Sequence, residues 1–476
     1  MQRSGTKVRI RVSLTRVADN ASEDLGAFTE EFGDIFALQE KVARAVVEKL
    51  THRQVASSVE VLTTNSEAYD LYLRGRSLQT RAGSYSREAA KLYEQAVALD
   101  PKFALAWARL AEARFRNYNS GSDHSPAVVT GAREAIDRAL ALRPDLPEAL
   151  IARANLVQRV ECDFSLARRD LDRAESLHTS PAELRWAQAV LARDVGNWPD
   201  AVRLARGSLE LDPQNGDNAN VCGYSFYFYR GDFGEADRLL ARAAAIQGLT
   251  AETPLGSRVL ARLAWRGPEA ARRLVDRQPA AQSGIAWLRA WVLVQLGRNE
   301  EARGEVEAAA TTGPASAQPS TFWFVRMLSV AEAVGMNDLA RGWAEGIRAN
   351  VDKEFERGNR APDIHELKVH AEISLGHRDA ALAALADWRG EVQRVPSTYR
   401  RMTEFQRRAA LAYGRLGKAD EAVALLRELE ANGFTLSGYS LRYDLAYAPI
   451  RDDPRFQQLI QQAEAWAKAQ PDPVDP

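Results

Sequence analysis

The sequence predicts an all-α chain in which about ten helical hairpins stack into a solenoid, preceded by a small α+β segment made of a β-hairpin and one helix. Three observations support this fold class. A spacing of small and large apolar residues recurs along most of the chain, a glycine stands at a fixed distance ahead of many copies, and apolar–polar alternation marks the amino-terminal end. One hairpin cannot bury its apolar face alone, so we expect the hairpins to form a core by stacking.

The composition is that of a folded protein with nearly equal numbers of positive and negative charges. Of 476 residues, 46% are hydrophobic and 27% are charged, and 63 basic against 64 acidic residues leave a net charge of −1. This charge offers no general surface for nucleic acid or an anionic membrane, so we expect neither as a partner. The sequence has no signal peptide and no window of about 18 apolar residues, which predicts a cytoplasmic protein without membrane insertion.

The sequence contains two cysteines, Cys162 and Cys222. They supply neither a disulfide framework nor a metal cluster, which favours a reducing compartment. We expect both to be inert, buried thiols.

The stretch "SREAAKLYEQAVALDP" carries the repeated spacing in full. Ala89, Tyr93 and Ala96 are four and three residues apart and share one face of a helix, which Pro101 ends. The small residues let a neighbouring helix approach closely, and the large residue fills the groove between them. Complete or partial copies begin at Ala132, Ala167, Ala201, Ala236, Ala302, Ala381 and Ala422.

A glycine often stands five residues ahead of the first alanine. Because glycine adopts positive φ without steric cost, each is expected to make the tight turn between the two helices of a hairpin. The six such glycines are Gly196, Gly231, Gly297, Gly335, Gly376 and Gly417.

The segments ahead of these helices are helical in pattern too. In "ALAWARLAEARF", Leu110 and Ala111 lie three and four residues after Trp107 and share one helix face with it. Together the two patterns resemble the tetratricopeptide repeat, whose signature is W-x2-L-G-x2-Y, then A-x3-F, then P. Trp107 and Leu110 match its first helix, and Ala89 and Tyr93 match its second.

The resemblance implies helical hairpins of about 34 residues that wind into a right-handed superhelix. We count about ten units between residues 66 and 460. The unit near residues 250–281 is degenerate, and the second unit is expected to carry a long insertion, "NYNSGSDHSPAVV", between its helices.

Residues 1–62 follow a different pattern. "KVRIRVSL" alternates apolar and polar residues, which predicts a half-buried strand, and a weaker strand is expected near "LGAFTEEF". "DIFALQEKVARAVVEKL" is an amphipathic helix with Asp34 as its N-cap.

This order resembles the end of the TolB-like amino-terminal domain of bacterial regulators. Val8, Arg9 and Ile10 match its strand, and the start of "DIFALQ" matches its helix. The resemblance implies a truncated TolB-like segment at 1–62, followed by the repeat superhelix at 63–460 and by the end of a capping helix with a flexible tail at 461–476. An open strand edge is a template for pairing, so residues 1–50 are expected to mediate a homodimer or to bind a partner chain.

The last repeat is followed by "APIRDDPRFQQLIQQAEAW". Phe456, Leu459 and Ile460 form an apolar stripe on a final helix whose other face carries glutamines. A solenoid needs a cap that is apolar inside and polar outside, so this helix is the predicted cap.

No motif predicts catalysis or a cofactor. "HELKVH" places His365 and His370 five residues apart, whereas the metalloprotease motif needs a spacing of four, so we expect surface histidines. The sequence contains no phosphate-binding loop, dinucleotide-binding glycine pattern or nucleophile elbow. We therefore predict a protein that is not an enzyme and needs no cofactor.

The resemblance implies that the first helix of each hairpin lines the concave surface, where a protein or peptide would bind. Aromatic, arginine and asparagine side chains are typical anchors of such grooves. The candidate groove residues are Asn155, Arg159, Trp186, Arg193, Asn220, Tyr224, Tyr227, Trp287 and Trp291.

Two functions remain open at this point. The first is a protein–protein interaction scaffold that binds a partner on its concave face. The alternative is the sensory or regulatory half of a longer or split bacterial signalling protein, an adenylate cyclase or a winged-helix transcriptional regulator, as the TolB-like resemblance implies.

Overall fold

The computed structural model describes most of the chain. The described residues are 2–4, 7–15, 22–31, 41–42, 45–49, 62–79, 86–119, 125–177, 181–247, 252–278, 283–312, 321–360, 362–394 and 399–468.

The amino-terminal segment contains an antiparallel sheet. Strands β1 (Gln2–Ser4), β2 (Lys7–Thr15) and β3 (Ser22–Glu31) lie in the order β1-β2-β3, with an irregularity in the β2–β3 pairing between Val12 and Ser13. The predicted hairpin is confirmed, and β1 is an additional strand. Residues 41–42 and 45–49 are helical, as expected, whereas the predicted N-cap Asp34 lies outside the described residues.

Ten helical hairpins follow within the described residues. The first five are α1 (Ser66–Gln79) with α2 (Ser86–Leu99), α3 (Ala104–Asn119) with α4 (Pro126–Leu142), α5 (Pro147–Leu156) with α6 (Phe164–Ser176), α7 (Pro181–Asp194) with α8 (Trp198–Leu211), and α9 (Gly216–Val221) with α10 (Phe233–Gln247). The other five are α11 (Glu252–Arg266) with α12 (Pro268–Asp276), α13 (Ser283–Gln295) with α14 (Asn299–Thr312), α15 (Thr321–Ala333) with α16 (Asn337–Glu356), α17 (Pro362–Ser374) with α18 (Arg378–Arg394), and α19 (Tyr399–Arg415) with α20 (Ala419–Ala431). The predicted all-α solenoid is confirmed.

In two hairpins the first of the two helices continues through an irregular turn. A π-helical turn, Val157–Glu161, extends α5. Another, Cys222–Tyr227, extends α9 and is followed by a 3-10 turn, Phe228–Arg230. Each extension brings its helix close to the length of the other first helices.

The repeated small–large–small spacing forms the seams between helices. Gly75 on α1 shows how close the approach is, because a Cβ there would lie 2.7 Å from the Tyr93 ring. Members of the repeated spacing that are 2% exposed or less are Ala89, Tyr93, Ala96, Ala132, Ile136, Ala139, Ala167, Leu171, Ala174, Ala201, Ala205, Ser208, Ala236, Leu240, Ala243, Ala302, Val306, Ala381, Leu385, Ala422 and Leu426. The sequence pattern therefore located the core correctly.

The predicted turn glycines also behave as expected. All six have φ between 67° and 82°, a region that disfavours side chains with a Cβ. At the first of them, the Gly196 N–H donates to the Arg193 carbonyl at 3.0 Å and the Asn197 N–H to the Ala192 carbonyl at 2.8 Å. This hydrogen-bond pair closes the end of α7 and reverses the chain into α8.

The insertion predicted in the second unit is shorter than expected. Helix α3 runs to Asn119 and α4 begins at Pro126, so both ends of "NYNSGSDHSPAVV" are helical, and residues 120–124 between them lie outside the described residues. Proline fits the first turn of a helix, where its missing N–H would have no helical partner, so Pro126 starts α4 instead of prolonging a loop. The degenerate unit near 250–281 forms an intact hairpin whose second helix, Pro268–Asp276, is short.

The two cysteines differ. Cys222 is fully buried, and burial raises the pKa of its thiol to about 12, which keeps it protonated and inert. The predicted burial of Cys162 is wrong, because this residue is only partly buried. It ends the π-helical turn after α5 with φ of 57°, at the reversal into α6.

A closing segment, defined here as residues 432–468, follows the tenth hairpin. It contains α21 (Gly438–Tyr443), a 3-10 turn (Leu445–Ile450) and α22 (Pro454–Lys468). The apolar stripe of the predicted cap is buried, since Phe456, Leu459 and Ile460 are each 2% exposed or less, and the role of α22 as the cap of the solenoid stays a prediction. Among the described helices, none is both long enough and apolar enough to cross a bilayer.

Candidate functional site

The first helices of the hairpins face one another across the inside of the solenoid. Arg109 on α3 is 3.1 Å from Glu183 on α7, which lies two hairpins further along. Arg415 on α19 likewise lies 2.7 Å from Glu332 on α15. Ion pairs that skip a hairpin require a tightly curved inner surface, so this surface is the candidate site.

The amino-terminal groove is defined here by Arg109, Glu112, Arg116, Glu183 and Asp217. Glu112 accepts hydrogen bonds from Arg109 at 2.8 Å and from Arg116 at 3.2 Å. Arg116 also lies 3.5 Å from Asp217, three hairpins further along. Burial raises the pKa of Glu112, but the two guanidinium groups lower it by more, so the carboxylate stays ionised.

Polar side chains predicted for the groove line α5 and α9. Asn155 accepts a hydrogen bond from Gln158 at 3.3 Å, and Arg159 lies 3.5 Å from the buried Asp194 carboxylate. The side-chain oxygens of Gln158 and Asn220 are buried and have no hydrogen-bond partner in the part of the chain that the structure describes. Hydrogen-bonding capacity is therefore unmet on this face of two hairpins.

Trp186, Arg193 and Tyr227 lie deeper than the groove surface. Trp186 is half-buried with its ring 5.8 Å from that of Phe226. Arg193 is 4% exposed and donates two hydrogen bonds to Asp194, while Tyr227 is 5% exposed and accepts one from an arginine of α8. Their predicted contact with a partner stays a prediction.

The closing segment folds back against residues that precede it by about 170 to 240 positions. Phe434 packs against Trp198 and Tyr229, at ring-centre distances of 6.4 and 5.1 Å, and Trp466 packs against Phe233 at 6.2 Å. Three hydrogen bonds join the same surfaces: Thr435 N–H to the Tyr229 carbonyl (3.0 Å), Arg230 to the Gly433 carbonyl (2.6 Å) and the Ser437 hydroxyl to the Ala264 carbonyl (2.9 Å). The closing segment, which follows the tenth hairpin, therefore contacts hairpins four, five and six.

The carboxy-terminal chamber is the region between α13, α15, α17 and α19 and this closing segment. Its charged residues are Arg326, Glu332, Glu366, Arg407, Arg408, Arg415 and Asp444. Arg408 donates to Glu366 at 2.6 Å, Arg415 donates to Glu332 at 2.7 Å, and Arg326 lies 3.7 Å from Asp444. These pairs link the first helices of hairpins eight, nine and ten to one another and to the closing segment.

Two predicted groove residues border this chamber. The Arg326 guanidinium lies over the Trp291 ring at 5.3 Å, and the Tyr224 ring packs against Tyr229 at 5.1 Å. The Arg407 guanidinium lies over Tyr229 at 5.9 Å. Tyr224 and Trp291, which are 67 positions apart in sequence, therefore border the same chamber.

Trp287 is placed differently. It is 8% exposed, and its ring meets Trp343 of α16 edge-on at 5.2 Å. It therefore fills the seam between the seventh and eighth hairpins, and its proposed role in binding a partner stays a prediction.

The prediction of two surface histidines is wrong. His365 and His370 are each 1% exposed. His365 stacks with Trp388 of α18 at 6.3 Å, whereas the Nδ1 atom of His370 accepts from Arg415 at 3.0 Å. Burial, reinforced at His370 by Arg415, lowers the pKa of both, and strongly at His370. The spacing of the two histidines does not reveal their burial, because the side chains that cover α17 come from other helices.

The arrangement suits binding better than metal chemistry. No group of three histidine, cysteine, aspartate or glutamate side chains within the described ranges is placed to hold a metal ion. Most of the charged groups form ion pairs with one another, and the aromatic rings lie beside guanidinium groups. Such a surface offers hydrogen bonds, positive charge and flat apolar faces.

Comparison with known proteins gives fold-level likeness only. No family model matches the sequence, and no curated protein matches it. Among solved structures, the human IFIT1 dimer with m7Gppp-AAAA is 13% identical with a TM-score of 0.43, covering 75% of this chain and 80% of that one. A tetratricopeptide repeat protein from Parabacteroides merdae is 12% identical with a TM-score of 0.33, covering 57% of this chain and 99% of that one.

Proposed function

We propose that this chain is a non-catalytic scaffold that holds an extended segment of a partner protein in its amino-terminal groove. The observation that carries the proposal is the side-chain oxygen of the partly buried Asn220, which has no hydrogen-bond partner among the described residues and lies three positions after the groove residue Asp217 on α9. A buried polar atom without a partner is unfavourable by about 1–3 kcal/mol, and a peptide backbone N–H would recover that energy. The repeat architecture resembled by the sequence supports the same function.

The charges of the groove indicate what kind of segment it would select. Arg109 and Arg116 face three carboxylates, those of Glu112, Glu183 and Asp217. Glu183 keeps 44% of its side-chain surface exposed, so a ligand can reach it. We therefore propose a segment with a lysine or arginine near the backbone that Asn220 binds.

The test is selection from a random peptide display library with the full chain, followed by titration of the selected peptides. We expect enrichment of basic residues and a loss of about fivefold to tenfold in affinity for Asn220→Leu, equivalent to about one hydrogen bond. The variant removes a side-chain oxygen that has no partner among the described residues, so folding should be preserved. Arg203→Ala on α8, whose partner Asp200 is on the same helix, is the control. Unchanged affinity in Asn220→Leu would contradict the proposal.

A second candidate function rests on the amino-terminal sheet. Within the described strands, β3 pairs only with β2, so its other edge is free to accept a strand. This supports the predicted association through residues 1–50, as in the regulatory half of a bacterial signalling protein. Light scattering of the full chain and of residues 63–476 across concentration tests it, and a full chain that stays monomeric at high concentration would speak against it.

A further inference from the structure

A cavity of about 1100 Å³ opens between the third and fourth hairpins and is called here the outer groove. Three helices line it: α6 and α8, the second helices of these hairpins, and α7, the first helix of the fourth. Its lining residues on the α7 side run from Pro181 to Val195, 14 positions apart, so it is about 21 Å long, the length of about four helical turns. It shares no residue with the amino-terminal groove.

Gly207 keeps one wall of the outer groove open. It stands inside α8, where glycine is less favourable than alanine, so its presence calls for a packing reason. A Cβ at this position would lie 2.9 Å from an Nη atom of Arg185, so the missing side chain makes room for that guanidinium. No other of the eight copies of the repeated spacing has a glycine six positions after its first alanine. Five of them carry a long polar side chain there: Gln95, Arg138, Arg173, Arg242 and Glu428.

The apolar part of the outer groove follows α7. Leu184 and Leu191 are two turns apart on one face of this helix and line the groove. The Val195 N–H donates to the Leu191 carbonyl at 3.1 Å, which continues that face beyond the end of the helix. Val195 is 41% exposed, a degree of exposure that few large apolar side chains reach in the described ranges. An apolar stripe of a ligand could therefore bury surface along the whole groove.

Several charged side chains that line the groove have no partner of opposite charge. Arg168 on α6 and Arg185 on α7 form neither an ion pair nor a hydrogen bond with any residue that the structure describes. Asp172 and Glu210 form no ion pair within the same ranges. Glu175 accepts a hydrogen bond at 3.3 Å from a glutamine of α7, which is neutral. A ligand with charges of its own could pair with these groups.

The two ends of the groove differ in charge. Arg185, near the start of α7, lies against Gly207, near the end of α8, so these helices run antiparallel. The starts of α6 and α8 therefore lie at one end of the groove and their last turns at the other. Arg168 stands in the first turns of α6, whereas Glu175 and Glu210 stand in the last turns of α6 and α8. A ligand that fits would be acidic at the first end and basic at the second.

We infer that the outer groove binds an amphipathic α-helix of a partner protein. All three lining elements are helices, whose backbone groups are bonded internally, so the groove offers no backbone edge to an extended segment. A helix satisfies its own backbone and can place an apolar stripe along Leu184, Leu191 and Val195. Its acidic first turn would face Arg168 and its basic last turn would face Glu175 and Glu210, so it would run parallel to α6 and α8. The inference does not depend on the proposed function of the inner face.

The experiment uses two labelled synthetic peptides of about 18 residues, each held helical by a hydrocarbon staple. Both carry leucines spaced four, three and four apart on the face opposite the staple. One has glutamates in its first turn and lysines in its last, and the other has these charges exchanged. Fluorescence anisotropy with the full chain measures their affinities. We expect the first peptide to bind saturably and the second to bind about tenfold more weakly.

Three variants locate the binding. Gly207→Arg places in the groove the side chain that Arg173 and Arg242 have at the equivalent position, so the affinity for the first peptide should fall at least tenfold. Gly304→Arg on α14, where nothing lies within 4 Å of an added Cβ, is the matched control and should bind like the native protein. Arg168→Glu, at an exposed position, keeps the test informative if Gly207→Arg unfolds, because it should weaken the first peptide and strengthen the second.

The same titrations separate this inference from the proposed function. Asn220→Leu, which tests the inner face, should leave the affinities of both peptides unchanged. The inference is wrong if neither peptide binds saturably, or if Gly207→Arg and Arg168→Glu bind the two peptides as the native chain does.

Discussion

The two halves of the inner surface are built from the same kind of hairpin but use their charges differently. In the amino-terminal groove two arginines face three carboxylates, and the exposed ends of Glu183 and Asp217 reach solvent. In the carboxy-terminal chamber the arginines outnumber the described carboxylates, and Arg415 keeps only 7% of its side-chain surface exposed. The difference comes from the closing segment, because a repeat architecture alone leaves its concave face open.

The comparison indicates how a repeat protein acquires sites of different character. Stacked hairpins contact mainly their neighbours. The side chains on each part of the inner surface are therefore those of the first helices at that place. The closing segment adds contacts over sequence separations of 173 to 236 residues. Those contacts place additional protein against one half, and ion pairs that it covers are strengthened.

The largest expected effect comes from breaking an ion pair in the chamber. Arg415→Met removes the partner of Glu332, Ser374 and His370 and should lower the free energy of unfolding by about 3 kcal/mol. Arg116→Met in the groove removes a side chain that is 36% exposed and should lower it by less than about 1 kcal/mol. Chemical denaturation of the two variants measures the difference. Equal losses would show that the closing segment does not distinguish the halves.

The second prediction compares two turn glycines. Gly231→Ala and Gly297→Ala both place a Cβ at positive φ, which is unfavourable by about 1 kcal/mol in each case. Only at position 231 would the Cβ also overlap the Trp466 ring and lie 2.7 Å from Thr435, whereas nothing lies within 4 Å at position 297. We expect Gly231→Ala to be destabilised by about 1–2 kcal/mol more.

Hydrogen exchange locates that extra loss. In Gly231→Ala the amides of residues 433–466 should exchange faster, and in Gly297→Ala they should exchange as in the native protein. Identical exchange in both variants would mean that the closing segment is not held against Gly231.

The sequence was informative where the structure is local. The spacing of Ala89, Tyr93 and Ala96 and the glycines ahead of later copies are determined within one helix or one turn, so a single chain reveals them. The fold-back of the closing segment was missed because it depends on distant pairs such as Tyr229 with Thr435, and that hydrogen bond joins two backbone groups, which every residue type has. Phe434 and Trp466 were the residues that could have indicated the fold-back, since large aromatic side chains on a terminal segment are usually buried against other parts of the protein.

The candidate site was predictable in part for the same reason. Helical periodicity selected Tyr224 and Trp291, which the structure brings to the chamber. It also selected Trp287, which fills a seam, because position on a helix does not say which neighbour covers it. The arginines of α15 and α19 were missed, since an arginine in an amphipathic helix looks like any solvated residue until its neighbours are known.

The third prediction concerns pH. Burial lowers the pKa of His365 and His370, and nearby arginines lower that of His370 further, so both are neutral in the folded protein. In the unfolded chain each takes up a proton below its ordinary pKa of 6.5. Stability from these groups is complete above that pH and falls as the pH decreases, by up to about 1.4 kcal/mol per pH unit for each histidine.

Denaturation between pH 7.5 and about 5 measures this slope. A His370→Gln variant should show a smaller slope than the native protein, because one of the two contributions is gone. The idea fails if the native protein is equally stable throughout, or if the variant keeps the full pH dependence.

The smallest expected effect is that of removing the amino-terminal segment. Its described ion pairs, Arg11 with Asp24 and Lys49 with Glu23, are internal to it, whereas the Thr63 hydroxyl, just ahead of α1, donates to Asp100, just after α2, and so joins the two ends of the first hairpin. Solenoid hairpins depend on adjacent hairpins, so deletion of residues 1–61 should change the free energy of unfolding by less than about 0.5 kcal/mol. Hydrogen exchange of α3 to α22 should be unchanged. A deletion that accelerates exchange in the chamber would show instead that the sheet supports the closed half, and would join the two regions whose difference the other variants measure.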